Sequence, residues 1–173
     1  SINKFLVDDK GLLFLFVFGL PPLVHIDDPQ RAVAVCFDML EVLKRMGLSG
    51  SFGLATGRVF CGIVGSKRRR EYTVMGDTAN LAARLMSKAE EHPVLIDEAT
   101  HVRSRQDIIC KSLGPTYVKG KPHPIAIFAP LMPGACGQRV SQLAGLCRTL
   151  SWNTSFTEIP VELSSGKASL RLA

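Results

Sequence analysis

The N-terminal part of the chain alternates short apolar runs with polar turns. Residues 5–7 and 12–18 are apolar and are separated by the polar segment 8–11 (Asp-Asp-Lys-Gly). A turn of this composition between two apolar runs is typical of a β-hairpin. The second run is too short to span a bilayer and stops at Pro21 and Pro22. It therefore predicts a buried strand, and no transmembrane segment is expected.

Apolar positions at helical spacing predict a long helix after this hairpin. Asp28 and Pro29 form a helix start, with a capping carboxylate followed by proline in the first turn. Gly47 is a suitable residue to end the helix. The apolar positions are Ala32, Val35, Cys36, Met39, Leu40, Leu43 and Met46.

The remaining periodic segments predict an alternation of strands and helices as far as residue 130. Asp77 or Thr78 is expected to cap a second helix that runs to Lys88. Strands alternating with helices, with hairpins among them, are typical of an α+β sandwich. Residues 131–173 show little periodicity, and we expect a linker or a fragment of a following region there. The other predicted elements are strands at 51–56 and 94–96, a short helix at 97–103, and a strand pair formed by 117–118 and 125–128.

Composition changes this picture little. The length of 173 residues suits one domain, and 46% hydrophobic against 21% charged residues predicts a globular chain. Of the net charge of +6, four charges lie in the basic run 67–70, so the rest is nearly balanced (6 − 4 = +2). Such a run favours a solvated loop, and no nucleic-acid partner is expected. The five widely spaced cysteines favour reduced thiols and a cytoplasmic location.

One sequence run indicates a protein family more specifically than the spacing of apolar residues does. Residues 71–84 (Glu-Tyr-Thr-Val-Met-Gly-Asp-Thr-Ala-Asn-Leu-Ala-Ala-Arg) closely resemble the signature of class III nucleotidyl cyclases. The segment 118–120 (Val-Lys-Gly) resembles the late lysine motif of that family. The runs 16–19 and 60–65 resemble the second cyclase domain of soluble, bicarbonate-responsive adenylyl cyclases. The upstream glycines that match the family are Gly53, Gly57, Gly62 and Gly65.

The resemblance implies a fold. Class III cyclase domains are ferredoxin-like α/β sandwiches, and their matching motifs occur here in family order over roughly residues 4–129. The family domain begins with a central strand and two helices ahead of the hairpin. We therefore expect residues 1–130 to form a partial cyclase domain that lacks the first strand and these helices.

The resemblance also assigns roles to the reacting part of a substrate. Asn80 and Arg84 are four residues apart on the second predicted helix, so both project from one face. In the family, the arginine stabilises charge on the phosphate when the ribose 3′ oxygen attacks the α-phosphorus, and the asparagine orients the ribose. Lys119 is expected to neutralise the β- and γ-phosphates.

Three further residues are expected to read the base. Thr73 matches the position at which adenylyl cyclases hold threonine or aspartate and guanylyl cyclases hold cysteine, so ATP is the expected substrate. The base-reading lysine is either Lys4 or Lys10, and the distance from Gly11 favours Lys4. Val74 is expected to contact the base through its backbone.

The resemblance implies a metal requirement that this chain does not meet. Class III cyclases hold two magnesium (or manganese) ions with two aspartates, and Leu12 occupies the second of these positions. Leucine offers no oxygen ligand. Asp8 and Asp9 lie nearby, but in the turn and out of register. We therefore expect no metal site in this chain.

The sequence thus predicts the half of an adenylyl cyclase that contacts the substrate but not the metal. A metal-bearing cyclase domain, in the same polypeptide or in a second chain, would complete the conversion of ATP to cyclic AMP and pyrophosphate for intracellular signalling. The alternative is a non-catalytic regulatory or dimerisation module with the cyclase fold.

Overall fold

A computed structural model describes residues 2–8, 11–131 and 169–172 of the chain. The described helices are α1 (Asp28–Arg45), α2 (Asp77–Ser87) and α3 (Glu98–Ser104). The described strands are β1 (Ile2–Asp8), β2 (Gly11–Phe16), β3 (Ser49–Leu54), β4 (Phe60–Gly65), β5 (Arg70–Met75), β6 (Val94–Asp97), β7 (Cys110–Thr116), β8 (Ile125–Pro130) and β9 (Ser169–Leu172).

Seven of these strands form one mixed sheet in the order β1-β2-β9-β3-β6-β8-β7, and β4 and β5 form a separate hairpin. β1 pairs with β2 in antiparallel register from Ile2 opposite Phe16 to Asp8 opposite Gly11. The predicted N-terminal hairpin is therefore confirmed.

The central position between β2 and β3 is taken by β9, which is parallel to both neighbours. We expected a sheet without a central strand, whereas four residues near the end of the chain supply one. Residues 132–168 lie outside the described residues, so the domain division at residue 130 stays a prediction.

Two apolar clusters hold helices on opposite faces of the sheet. Phe52 packs in one cluster with residues of α1, whereas Leu95 packs in the other with residues of α2. Successive residues of a strand point to opposite faces, which explains this division. The first cluster contains Val33, Cys36, Phe37, Leu43, Phe52, Val94, Ile96 and Ile108. The second contains Leu81, Leu85, Ala89, Leu95, Val118, Ile127 and Ala129.

The structure corrects the predicted helix caps. Asp28 is the first residue of α1 and not its cap, because Asp27 holds the capping position and the Asp28 carboxylate instead accepts a hydrogen bond from the His25 N–H (2.9 Å). α2 follows Gly76 and has no side-chain cap. The Thr78 hydroxyl donates instead to the Arg58 carbonyl (3.0 Å).

The prediction that residues 117–118 pair with 125–128 was wrong for the first of these segments. β8 pairs with β7, and residues 117–118 lie beyond the end of that strand. β7 contains Gly114 and Pro115, two residue types that are unfavourable inside a strand, so the sequence did not predict it. At the edge of the sheet an irregularity between Ser112 and Pro115 accommodates them.

The backbone of α2 packs directly on β3 at Gly53. A Cβ atom added at Gly53 would overlap the Ala82 carbonyl oxygen and the Met86 amide nitrogen. Both obstacles are helix backbone, which cannot rotate away as a side chain can. Only glycine therefore permits this approach, which determines the position of α2.

We expect Gly53→Ala to lower the free energy of unfolding by about 3 kcal/mol, because the added methyl group pushes α2 off the sheet. Gly47→Ala is the matched control, since its Cβ would meet nothing within 4 Å and only its φ of +71° is unfavourable. That control should cost about 1 kcal/mol. Urea denaturation of both variants measures the difference, and equal losses would contradict the close-approach argument.

Candidate active site

α2 positions the two residues predicted to act on the reacting part of a substrate. Leu81 and Leu85 are buried and fix the helix on the sheet. Asn80 and Arg84 each precede one of them and lie on the adjacent strip of the helix surface, where Asn80 is exposed and Arg84 is half-buried. The helix thus presents an amide and a guanidinium side by side.

A turn after β7 comes to lie against Arg84. Its first residue, Val118, is only 3% exposed and packs with Leu81 and Leu85, and the Lys121 N–H donates to the Val118 carbonyl (3.0 Å). A Cβ added at Gly120 would lie 3.0 Å from Nη2 of Arg84. Lys119, the residue before Gly120, is exposed. The structure therefore brings Arg84 and the turn bearing Lys119 together.

The guanidinium of Arg84 is incompletely satisfied. Its Nη1 atom is buried and has no hydrogen-bond partner among the described residues. A buried donor without a partner is costly, and a charged phosphate oxygen is the kind of acceptor that a guanidinium binds most strongly. The chemistry of this position therefore suits an anion.

Thr73 and Val74 lie near the end of β5, shortly before α2 begins. Val74 is buried, and its N–H donates to Oδ1 of Asn3 on β1 (3.3 Å). Val74 was predicted to contact a base through its backbone, and its N–H is engaged within the chain. The sequence does not predict a role for Asn3, because its partner Val74 lies 71 positions away and no local pattern indicates the contact.

Lys4 lies on β1 opposite Leu15, next to an irregularity in the β1–β2 register, and is half-buried. Within the part of the chain that is described, no hydrogen bond or ion pair joins Lys4 to Thr73 or Val74. The rival lysine, Lys10, lies outside the described residues. The choice of Lys4 stays a prediction.

That this chain holds no metal site stays a prediction. Nowhere among them do three or more His, Cys, Asp or Glu residues come together as metal ligands. Leu12, at the position where the family has its second aspartate, pairs with Val7 across the hairpin. Asp8 ends β1 opposite Gly11, and Asp9 lies outside the described residues.

A cavity lies beside one of the candidate residues. A cavity of about 460 Å³ extends between the ends of β2 and β3 and beside α1, lined by residues such as Phe16, Leu54 and Met39. Of the candidate residues, Val74 lines it, whereas Lys4, Thr73, Asn80, Arg84 and Lys119 do not.

Two of the described cysteines are poorly suited to nucleophilic chemistry. Burial raises the pKa of the Cys36 thiol far above its ordinary value, and burial also raises the pKa of Cys110. Thiols with raised pKa values stay protonated near neutral pH and are poor nucleophiles. Cys36, Cys61 and Cys110, the cysteines of the described residues, are all free thiols.

The family profile of the adenylate and guanylate cyclase catalytic domain matches residues 7–129. The chain belongs to this family. The resemblance drawn from residues 71–84 is therefore confirmed at the level of the family.

Two relatives show how much of the chain is shared. Human adenylate cyclase type 10 is 44% identical over 88 residues, which are 50% of this chain and 6% of that protein. An uncharacterized protein of Mycobacterium tuberculosis is 33% identical over 135 residues, which are 75% of this chain and 23% of that protein. The match thus spans well under two thirds of the length of either relative.

Solved structures confirm the fold. The adenylyl cyclase CyaB from P. aeruginosa is similar with a TM-score of 0.56 and 25% identity, covering 65% of this chain and 64% of that one. The guanylate cyclase domain of RhGC from Catenaria anguillulae, in complex with GTP, has a TM-score of 0.55 and 25% identity, covering 66% and 64%. The α+β fold of class III cyclase domains is therefore shown. Among the described helices, none has the length and apolar character needed to cross a bilayer.

We expect Asn3→Ala to lower the free energy of unfolding by about 1 kcal/mol, because the buried Val74 N–H loses its acceptor. Asn3→Asp is the matched control, since a carboxylate oxygen of the same shape still accepts this hydrogen bond. Urea denaturation compares the two variants. A loss in Asn3→Asp as large as that in Asn3→Ala would show that the acceptor is not what matters.

Proposed function

We propose that this chain is the substrate-contacting half of an adenylyl cyclase and converts ATP to cyclic AMP and pyrophosphate together with a metal-bearing cyclase domain. The observation that carries the proposal is the buried Nη1 of Arg84, which has no hydrogen-bond partner among the described residues and lies beside the turn that bears Lys119. Both residues lie within the range 7–129 that matches the family profile.

The proposed reaction is an attack of the ribose 3′ oxygen on the α-phosphorus. A bond forms between these atoms, the bond from the α-phosphorus to the bridging oxygen of the β-phosphate breaks, and pyrophosphate leaves while the hydroxyl proton passes to solvent or the partner. Arg84 donates hydrogen bonds to the oxygens on which charge builds. Asn80 orients the ribose, and Lys119 neutralises the β- and γ-phosphates.

The adenine preference is proposed from Thr73 and Lys4. The similarity to human adenylate cyclase type 10 supports this preference, although it covers 88 residues only. Guanylate cyclase domains also share the fold, so the fold alone does not select the base.

The metal ions are assigned to the partner domain in this proposal. Magnesium and manganese need oxygen ligands, and the described residues offer no cluster of them. A cytoplasmic location of the complete enzyme is part of the same proposal.

A second function is favoured by one of these observations. Because Leu12 stands where a metal-ligating aspartate is expected, the chain also suits a regulatory or dimerisation module with the cyclase fold. ATP binding in the presence of a metal-bearing cyclase half favours the catalytic role. No ATP binding under the same conditions favours the regulatory role.

We expect Arg84→Ala to lower the rate of cyclic AMP formation by about 10²–10³-fold, because loss of a donor to transition-state charge costs about 2.7–4 kcal/mol. The assay mixes the full chain with a metal-bearing cyclase half. Arg105→Ala is the matched control, since Arg105 is exposed at the end of α3. A loss below tenfold in Arg84→Ala rejects the transition-state role.

The base assignment predicts a change of substrate. Combining Lys4→Glu with Thr73→Cys installs the pair typical of guanylyl cyclases. We expect the ratio of kcat/KM for ATP to that for GTP to fall by at least about tenfold, since each mispaired base edge leaves polar groups unsatisfied. The double variant with Lys111→Glu in place of Lys4→Glu is the control. An unchanged ratio in the test variant would remove Lys4 and Thr73 from base recognition.

A further inference from the structure

An ion pair joins the first residue of α2 to the turn 118–121. The Lys121 Nζ contacts Oδ2 of Asp77, although the two residues are 44 positions apart. The side chain of Lys121 is only 24% exposed, whereas that of Asp77 is 66% exposed. The Lys121 side chain therefore packs against the protein surface, and the more exposed Asp77 carboxylate contacts it on the solvent side.

The turn contacts α2 at two separate places. Lys121 contacts Asp77 in the first turn of the helix, and Gly120 packs on the guanidinium of Arg84 seven residues later. Residues 77, 80 and 84 share one face of the helix. The turn thus lies along the face that carries both Asn80 and Arg84.

Gly120 is required at the second contact. Its φ is +76°, and a Cβ there would lie 3.0 Å from Nη2 and 3.3 Å from Nη1 of Arg84. A side chain would therefore be strained and would displace the guanidinium. Together with the Lys121 N–H bond to the Val118 carbonyl, this contact fixes the shape of the turn.

We propose that Lys121 is a positioning residue, whose ion pair with Asp77 holds the turn 118–121 on α2 so that Lys119 and Arg84 face the same triphosphate. This inference rests on the proposed function. It assigns a role to Lys121 and Asp77 that is distinct from binding: neither side chain touches the substrate.

The charges favour positioning over direct phosphate binding. The ammonium group of Lys121 is already engaged by Asp77, so a phosphate could reach it only by displacing a carboxylate. An unpaired Asp77 on the same face would repel an incoming triphosphate. The ion pair therefore holds the turn and also neutralises the carboxylate next to the site.

The two roles predict opposite results for Asp77→Asn. If Lys121 positions the turn, Asp77→Asn and Lys121→Met each lower kcat/KM for ATP by about tenfold, and the double variant is no worse than either alone. Lys121→Arg, which keeps the ion pair, should stay within about threefold of the unchanged chain. If Lys121 instead binds phosphate, Asp77→Asn leaves kcat/KM unchanged or raises it, and the inference is overturned.

A second measurement needs neither substrate nor partner. Hydrogen exchange of the Lys121 amide reports whether the turn stays closed, because this N–H is bonded to the Val118 carbonyl. Asp77→Asn and Lys121→Met should each speed this exchange about threefold, the factor typical of a lost partly exposed ion pair. Asp38→Asn and Lys111→Met, at exposed positions of α1 and β7, should leave it unchanged.

The two measurements distinguish failure of the positioning role from failure of the proposed function. Unchanged exchange in Asp77→Asn and Lys121→Met overturns the positioning role whatever the activity. Faster exchange in a full chain that makes no cyclic AMP beside a metal-bearing half supports the ion-pair contact and overturns the proposed function.

Discussion

The contact between the backbone of α2 and Gly53 on β3 is the constraint on which the candidate site depends. Because Gly53 has no Cβ, the helix approaches the sheet until Ala82 and Met86 contact it through backbone atoms. This close approach also buries Leu81 and Leu85. The backbone of Asn80 and of Arg84 is then held in place relative to the sheet, which is the support that a functional side chain needs.

The same core that holds α2 also holds the turn beside it. Val118 packs with Leu81 and Leu85, so α2 and the turn 118–121, which carry the residues predicted to bind phosphate, are both anchored in one buried cluster. The base side of the site, formed by the residues predicted to contact adenine, is held differently. β5 belongs to a two-stranded hairpin outside the main sheet, and the hydrogen bond from Val74 to Asn3 ties it to β1. A two-stranded hairpin has little stability of its own, so we expect the base side to be the more mobile part of the site.

Local sequence pattern predicted single elements, and the family resemblance predicted the fold. The spacing of apolar residues in α1 and the turn 8–11 were sufficient for a helix and a hairpin, while the resemblance of residues 71–84 was needed for Arg84. The pair Lys121–Asp77 and the contact of Asn3 with Val74 were not predictable. They join polar residues 44 and 71 positions apart, and such contacts leave no periodic signal. β9 was missed for the same reason, since its pairing with β2 and β3 is entirely non-local.

Separating the metal ligands from the cations has a physical advantage for such a site. A carboxylate close enough to share a substrate phosphate with Arg84 is also close enough to pair with it, and pairing would use the guanidinium donors before substrate arrives. Asp77 is the carboxylate on the shared face of α2, and Lys121 engages it. Among the described residues, Nη1 of Arg84 has no acceptor. In a proposed two-domain enzyme, the metal-binding carboxylates would meet this guanidinium only when the partner binds, with the substrate phosphates between them.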